Sequence, residues 1–466
     1  MTNNTIQNYT FDELKVGMTA SLTHKLTHDD VKLFAAISGD PVLHSLAHGG
    51  SAVGKPPAHA AMSGALLSRL IGTKLPGPGS NVVSESIRYG RPVAVGEMVT
   101  ATVTVKDKRS AGNVVVLDCT GTVSTGERVL SGTMEVTALT EKVEVEMVEM
   151  PQISVQEHDS YAAIIERCKS LPPVITAVAH PCDESSLRGA IEAAEANLIV
   201  PILVGPEARI RAVAKEKGLD ISSFRVVDAP HSNAAAAKAV ELVRMGEAEV
   251  LMKGSLHTDE LLSAVVAKET GLRTARRLSH VFVMDVPTYH KPLLITDAAI
   301  NIYPSLEDKV DIVQNAIELC HAFGMKLPKV AILSAVETVN SKIKSTLEAA
   351  ALCKMADRGQ ITGGLLDGPL AMDNAISKEA AAIKKIKSEV AGDADVLLVP
   401  DLESGNMIAK QLSFLANADA AGIVLGARVP IILTSRADNV RARMASCAVA
   451  VILAHARREA AQAKPV

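Results

Sequence analysis

Residues 174–196 read VITAVAHPCDESSLRGAIEAAEA, and this stretch decides the class of the larger part of the chain. Val174 to Ala179 is a continuous apolar run. A polar turn starts at His180, and an alanine-rich helical stretch, Ser186 to Ala196, follows. A strand that is apolar on both faces is buried on both, and a helix directly after it is the pattern of a parallel sheet. The same alternation recurs on the C-terminal side. Apolar runs lie at Ile199 to Gly205, Glu249 to Met252, Val330 to Ser334, Val396 to Pro400, Ala421 to Gly426 and Pro430 to Thr434. Helical stretches lie at His231 to Arg244, Lys309 to Phe323, Ser377 to Lys387 and Met407 to Leu415. Beyond Asp159 the chain therefore reads as α/β, with a mainly parallel sheet covered on both faces. Ligands in such folds sit at the carboxyl ends of the strands.

Those strand ends carry chemistry. Arg188 falls in the first turn of the helix after Ala179, with Ser185 or Ser186 as its cap. Lys253-Gly254-Ser255-Leu256-His257-Thr258 follows the next strand, and a Lys-Gly-Ser turn offers backbone N–H groups and an ammonium together. Gly426-Ala427-Arg428 and Thr434-Ser435-Arg436-Ala437-Asp438-Asn439 follow two others. Each loop alone reads as a capped helix with a solvated charge. Together, in one parallel unit, they read as an anion cleft.

The chain N-terminal to this behaves differently. Thr27 to Gly39 carries the marks of a helix: Thr27 as N-cap, Asp29 and Asp30 in the first turn, Gly39 as the stop. A second helix is expected from His59 to Ile71. Period-two strands follow at Glu97 to Val105, Asn113 to Cys119 and Val129 to Val136. This is an α+β pattern. Glu141 to Glu157 is acidic and contains Pro151; it reads as a linker in preference to one more strand. The expected domains are residues 1–140, a linker 141–158, and residues 159–466.

Composition excludes several functions. The 466 residues include 6 Phe, 5 Tyr and no Trp, too few aromatic platforms for stacking single-stranded nucleic acid. A net charge of −4 favours neither a polyanion nor an anionic membrane as partner. Six cysteines without a CxxC argue against a metal site or a disulfide framework and for reduced thiols. The polar start MTNNTIQNYTFDELKVG has no signal-peptide pattern, and the longest apolar runs are broken by Gly, Arg and Pro. A cytoplasmic protein is expected.

From about Tyr161 onward the chain resembles the phosphate acetyl/butyryltransferase family. The strings that carry the resemblance include HPCDESSLRGAIEAAE, VPILVGP, LMKGSLHTDELL, HVFVMDVPTYHKPLLITDAAIN, ITGGLLDGPLAMDNA, LLVPDLESGNMIAKQL and PIILTSRAD. The resemblance implies two α/β lobes with the site in the cleft between them, the second lobe running from about Ala299 to Asp419. It implies acyl transfer between coenzyme A and inorganic phosphate, with acyl-CoA, phosphate and acyl phosphate as partners and no tightly bound cofactor or metal. Ser435-Arg436 matches the family's active-site Ser-Arg pair. Arg436 would grip phosphate or the acyl carbonyl, and Ser435 would hydrogen-bond the developing oxyanion. Arg188 would be a second clamp, with Lys253, Gly254, Ser255 and Arg428 also binding substrate and His257 lining the cleft. The acetyl-specific branch places an acidic residue seven positions after that Ser; here it is Ala442. His257 and Asp438 remain candidates for the base, and the acyl preference stays open between acetyl and butyryl. Asp367-Gly368-Pro369 reads equally as a family motif and as a turn. Cys182 reads as a semi-buried thiol in preference to a nucleophile.

Residues 10–140 resemble the MaoC-type hotdog dehydratases, through THDDVKLFAAISGD, HAAMSGALLSRLIGTKLPGPGS and IRYGRPVAVGEMVTATVTV. The resemblance implies a helix lying inside a curled antiparallel sheet, and a homo-oligomer, since two copies usually pair. The hydratase branch carries Ser-Gly-Asp-x-Asn-Pro-x-His. Here the string is Ser38-Gly39-Asp40-Pro41-Val42-Leu43-His44, without the Asn and one residue shorter. Asp40 and His44 are the possible hydratase pair. The alternatives are a degenerate module for acyl-CoA binding or dimerisation, and, for the whole chain, a non-catalytic acyl-CoA sensor.

Overall fold

The computed structural model describes residues 5–43, 60–148, 153, 160–434 and 439–462. The chain forms two compact units, Met1–Val155 and Gln156–Val466.

The first unit is built on a five-stranded antiparallel sheet. Its order is Thr19–Lys25, Met98–Arg109, Val114–Val123, Arg128–Thr137, Asn81–Tyr89. Burial alternates along Met98–Arg109, as the period-two pattern requires. Helix Ala60–Thr73 lays Leu67, Leu70 and Ile71 on the buried face, in one core with Val103, Leu117 and Met134. A long helix packed on a five-stranded antiparallel sheet is the hotdog layout. The helix His28–Ser38 follows its local signals. Thr27 and Asp30 form a reciprocal capping box, and Gly39 takes a left-handed φ of 67°.

One segment differs from expectation. Glu144–Glu146, inside the stretch read as a linker, forms a short strand antiparallel to Thr5–Gln7. The buried Asn8 side chain fixes it, donating to the Glu141 carbonyl at 3.0 Å and accepting from the Val143 N–H at 2.7 Å. The polar anchor comes from the other end of the unit, so the local sequence does not reveal it.

The second unit holds one eleven-stranded sheet. Five strands at one end are mutually parallel, in the order Arg225–Asp228, Ile199–Gly205, Val174–Ala179, Val250–Lys253 and Ile431–Ile432. Asp419–Leu425 and Ser279–Asp285 follow, each antiparallel to its neighbours. Leu293–Thr296, Val396–Leu398, Lys329–Leu333 and Leu365–Leu370 complete a second parallel set that runs the opposite way. Strand pairing is therefore continuous through the unit, from Arg225–Asp228 to Leu365–Leu370. The reversal has a simple cause. Ser279–Asp285 and Leu293–Thr296 are joined by residues 286–292 alone, too short for a parallel crossover.

Of the stretch Ser377 to Lys387 only Lys378–Ile383 is helical; the Ser377 hydroxyl caps it and separates it from the preceding short helix Met372–Ile376. Asp367-Gly368-Pro369 lies within the edge strand Leu365–Leu370, where a missing N–H costs no ladder bond. A 23-residue helix, Val440–Gln462, closes the described chain and buries Ala445 to Ala454 in the main core.

Candidate active site

The carboxyl ends of Val174–Ala179 and Val250–Lys253 are joined by backbone. The Gly254 N–H donates to the Ala179 carbonyl at 2.9 Å, and the Ser255 N–H to the His180 carbonyl at 2.9 Å. A Cβ on Gly254 would lie 2.3 Å from the Ala179 oxygen, so only glycine permits this approach. The Ser255 hydroxyl meets His180 Nδ1 at 3.0 Å, donates to the His180 carbonyl at 2.8 Å and accepts from the Cys182 N–H at 3.3 Å. Ser255, expected on substrate, is thus committed to holding two loops together. The Cys182 thiol is buried and pushed up to about 11 by desolvation, so it is a thiol and not a thiolate at neutral pH.

This seam supports a cleft of about 1160 Å³ over the middle of the sheet. Lys253, buried with 8% exposure, closes one side together with His257, the first residue of the turn into helix Thr258–Val266. Asn406, Lys410 and Phe414 come from helix Leu402–Leu415. His280 and Phe282 form part of the wall from the antiparallel strand. The Asp419 carboxylate, also lining, accepts from Asn439 Nδ2 at 2.8 Å and pairs with Arg441 at 3.4 Å. Ser435, Arg436 and Asp438 lie outside the described residues. The residues on either side of them, Thr434 and Asn439, both line the cleft.

Beside the cleft, Asp183, Ser185, Ser186, Lys253, Gly254, Thr434 and Arg443 line a smaller concavity. It opens at the start of helix Glu184–Glu195, which Asp183 caps through the Ser186 N–H at 2.9 Å. Arg443 is buried, and Gly189 lets its chain lie close: a Cβ there would be 3.1 Å from Arg443 Cδ. This guanidinium was not among the sequence candidates. Its signal was there, a cation directly ahead of the run Met444 to Leu453, which is apolar but for Ser446.

Two expected arginines go elsewhere. Arg188 points along its own helix and pairs with Glu184 at 2.9 Å, four residues back, outside the residues that line the cleft. Arg428 follows Asp419–Leu425, which runs antiparallel to Ile431–Ile432, so it lies at the opposite edge of the sheet from Lys253. The apolar run before it looks like its parallel neighbours, and strand direction is invisible in such a run. Position 442 is alanine and lines the cleft.

In the first unit, Asp40 Oδ1 accepts from the Val42 and Leu43 N–H groups at 3.0 and 3.1 Å. His44 lies outside the described residues, as does His59. A concavity of about 190 Å³ lies between the two helices, lined by Leu33, Phe34, Ile37, Met62 and Leu66, with His24 and Asp30 3.0 Å apart among its lining residues.

The cleft thus sets Lys253, at the carboxyl end of Val250–Lys253, with Lys410 and Asp419 among its lining residues. The family model "Phosphate acetyl/butaryl transferase" matches residues 231–451. A phosphate acetyltransferase of Rhizobium meliloti is 67% identical over 306 residues, covering 66% of this chain and 96% of that protein. A branched-chain phosphotransacylase of Enterococcus faecalis covers 60% of this chain and 99% of its own, at 31% identity and a TM-score of 0.54. An R-hydratase of Pseudomonas aeruginosa covers 32% of this chain and 99% of its own, at 36% identity and a TM-score of 0.31. The chain belongs to the phosphate acetyl/butyryltransferase family.

Proposed function

We propose that the second unit moves an acetyl or other short acyl group between coenzyme A and inorganic phosphate. The observation that carries this reading is the buried Lys253 ammonium at the carboxyl end of its strand, in a cleft large enough for a pantetheine arm. In the forward direction the thiol sulfur of coenzyme A attacks the carbonyl carbon of an acyl phosphate. Lys253 and Arg443, with Arg436, neutralise the phosphate charge. Ser435 supports the tetrahedral oxyanion. The two parallel ends of the sheet act as lobes flanking the cleft. Cytoplasm, where coenzyme A and reduced cysteines are kept, is the matching compartment. Phosphate-dependent release of coenzyme A from acetyl-CoA tests the reading. It fails, in favour of a non-catalytic acyl-CoA sensor, if the wild-type chain and Arg436→Ala are equally inert. A series from acetyl to butyryl sets the chain length.

A second reading belongs to the first unit. Its apolar concavity fits an acyl chain, and Asp40 is tied to its own backbone, so the unit serves as an acyl-thioester-binding or pairing module. Crotonyl-CoA hydration by the full chain, abolished by Asp40→Ala, would establish a hydratase with Asp40 and His44 instead. The exposed edge strand Asn81–Tyr89, with Val82 and Val83 outward, offers a place for a second copy. Sedimentation velocity tests that homo-oligomer.

A further inference from the structure

Phe414 is the outlier among the phenylalanines. Of the 6 in the chain, Phe11, Phe34, Phe224, Phe282 and Phe323 belong to hydrophobic cores or pack against them, whereas Phe414 is 80% exposed. A ring left in water forgoes a large burial gain, so what it faces matters. It faces the cleft. Asn406, Ala409, Lys410, Ser413 and Phe414 all line it, and their spacing by three and four residues makes them one stripe of helix Leu402–Leu415. At about 1.5 Å of rise per residue, the stripe runs about 12 Å from Asn406 to Phe414. Met407 and Leu415, the other exposed large apolar residues of this helix, are not among the lining residues. The helix leads into Asp419–Leu425, which runs antiparallel to Ile431–Ile432, so Phe414 stands at the sheet edge where Lys253 ends its strand. Two strand spacings, about 10 Å, separate the strands of Lys253 and Asp419.

Charge completes the wall. Lys410 lies one turn before Phe414 on the stripe, exposed, and no carboxylate pairs with it among the described residues. Asp419 is the sole carboxylate among the described lining residues, and Asn439 and Arg441 already engage it. An open aromatic face with an ammonium beside it suits an aromatic base joined to phosphate. Coenzyme A carries both at the end remote from its thiol. We propose that Phe414 is the platform on which the adenine ring of coenzyme A stacks, with Lys410 holding its diphosphate. The inference rests on the acyltransferase reading above and deepens it, since it assigns the nucleotide half of the same substrate. Stacking needs only a π-face on each partner, so one ring serves one base in a chain otherwise poor in aromatics. The cleft, about 1160 Å³, exceeds the about 300–1,000 Å³ usual for a small-molecule site and has room for the nucleotide beside the pantetheine arm. That arm crosses the cleft from Lys253 toward Phe414, which puts the thiol at one wall and the adenine at the other.

The test compares two thiols as acyl acceptors from acetyl phosphate, with the full chain: coenzyme A, and pantetheine, which lacks the nucleotide. The ratio of their kcat/KM values is the readout. Phe414→Ala lowers that ratio about 10-fold, the size of one base–aromatic stack, and Lys410→Met lowers it by a similar factor. Phe414→Tyr, which keeps a ring, keeps the wild-type ratio, and so does Met407→Ala on the same helix outside the cleft. An unchanged ratio in Phe414→Ala overturns the proposal. So does an equal loss with both thiols, which means that the ring only shapes the cleft. A dimer that Phe414→Ala converts to monomers in sedimentation velocity overturns it too, because a second copy then covers the ring. Calorimetric titration with adenosine diphosphate decides the platform without turnover. Binding that weakens about 10-fold in Phe414→Ala upholds it, and no binding by the wild type overturns it. A chain that binds adenosine diphosphate through Phe414 yet is inert toward every acyl phosphate from acetyl to butyryl rejects the acyltransferase reading alone.

Discussion

Lys253 and Arg188 show what a single position can and cannot announce. Both stand at strand ends, and both were expected at the substrate. Lys253 is the last residue of its strand and is carried into the cleft by the ladder. Arg188 lies one helical turn beyond Glu184, and that local partner takes it. Lys253→Met keeps the volume and removes the charge. Its kcat/KM for phosphate falls about 10- to 100-fold, the size of one charged hydrogen bond, with unchanged circular dichroism. Cys182 makes the opposite case. Its thiol, pushed up to about 11 by burial, does not react with iodoacetamide at pH 7.5, and Cys182→Ala keeps wild-type kcat in the acetyl-CoA assay. Arg443 was missed because its site comes from packing across Gly189, 254 residues of chain being no guide to which helix faces which.

Elements that carry their own boundary signals were legible; those defined by distant partners were not. The helix His28–Ser38 was readable to within a residue, since Thr27, Asp30 and Gly39 cap it locally. The strands Val174–Ala179 and Ile199–Gly205 appear at the expected residues, because buried parallel strands are continuous apolar runs. The antiparallel strands in the middle of the sheet look the same in sequence, so their direction, and with it the position of Arg428, was not readable. Gly254→Ala tests the seam between strand ends. A Cβ 2.3 Å from a carbonyl oxygen forces the turn apart, so the melting temperature and the transferase activity fall together. The pair Lys309–Glu348 joins helices Leu306–Ala322 and Lys344–Asp357 at 2.6 Å and is buried at both ends. Lys309→Met leaves the carboxylate with the exposed Lys344 as its remaining ion pair and costs about 3 kcal/mol in urea titrations. The double variant with Glu348→Leu recovers most of that loss.

At the scale of the molecule, the far end of the sheet is tied by charge. Burial works against ionised Asp393, yet hydrogen bonds from Lys329, Lys291 and His290 outweigh it and hold the carboxyl well below its usual range. A depressed carboxylate stabilises the fold above its unfolded value, near 3.9, and that stability is lost as pH falls toward the folded value. The urea midpoint therefore drops on acidification below about pH 4, and Asp393→Asn flattens this acid limb. Residues 156–466 form their own compact unit, and 306 residues of this chain cover 96% of the Rhizobium meliloti relative. Expressed alone, they fold and retain transferase activity, which a thermal melt and the acetyl-CoA assay check. The continuous sheet also constrains how this unit can move. The chain crosses to the far strands after Asp285 and returns at Asp419, and these two residues are register partners. Both crossings thus share one line, bonded from Ser279–Leu425 to Asp285–Asp419. The far strands cannot swing away on a flexible connector. Any opening of the cleft must be taken up as twist within this pair of strands, a torsion spring and not a door.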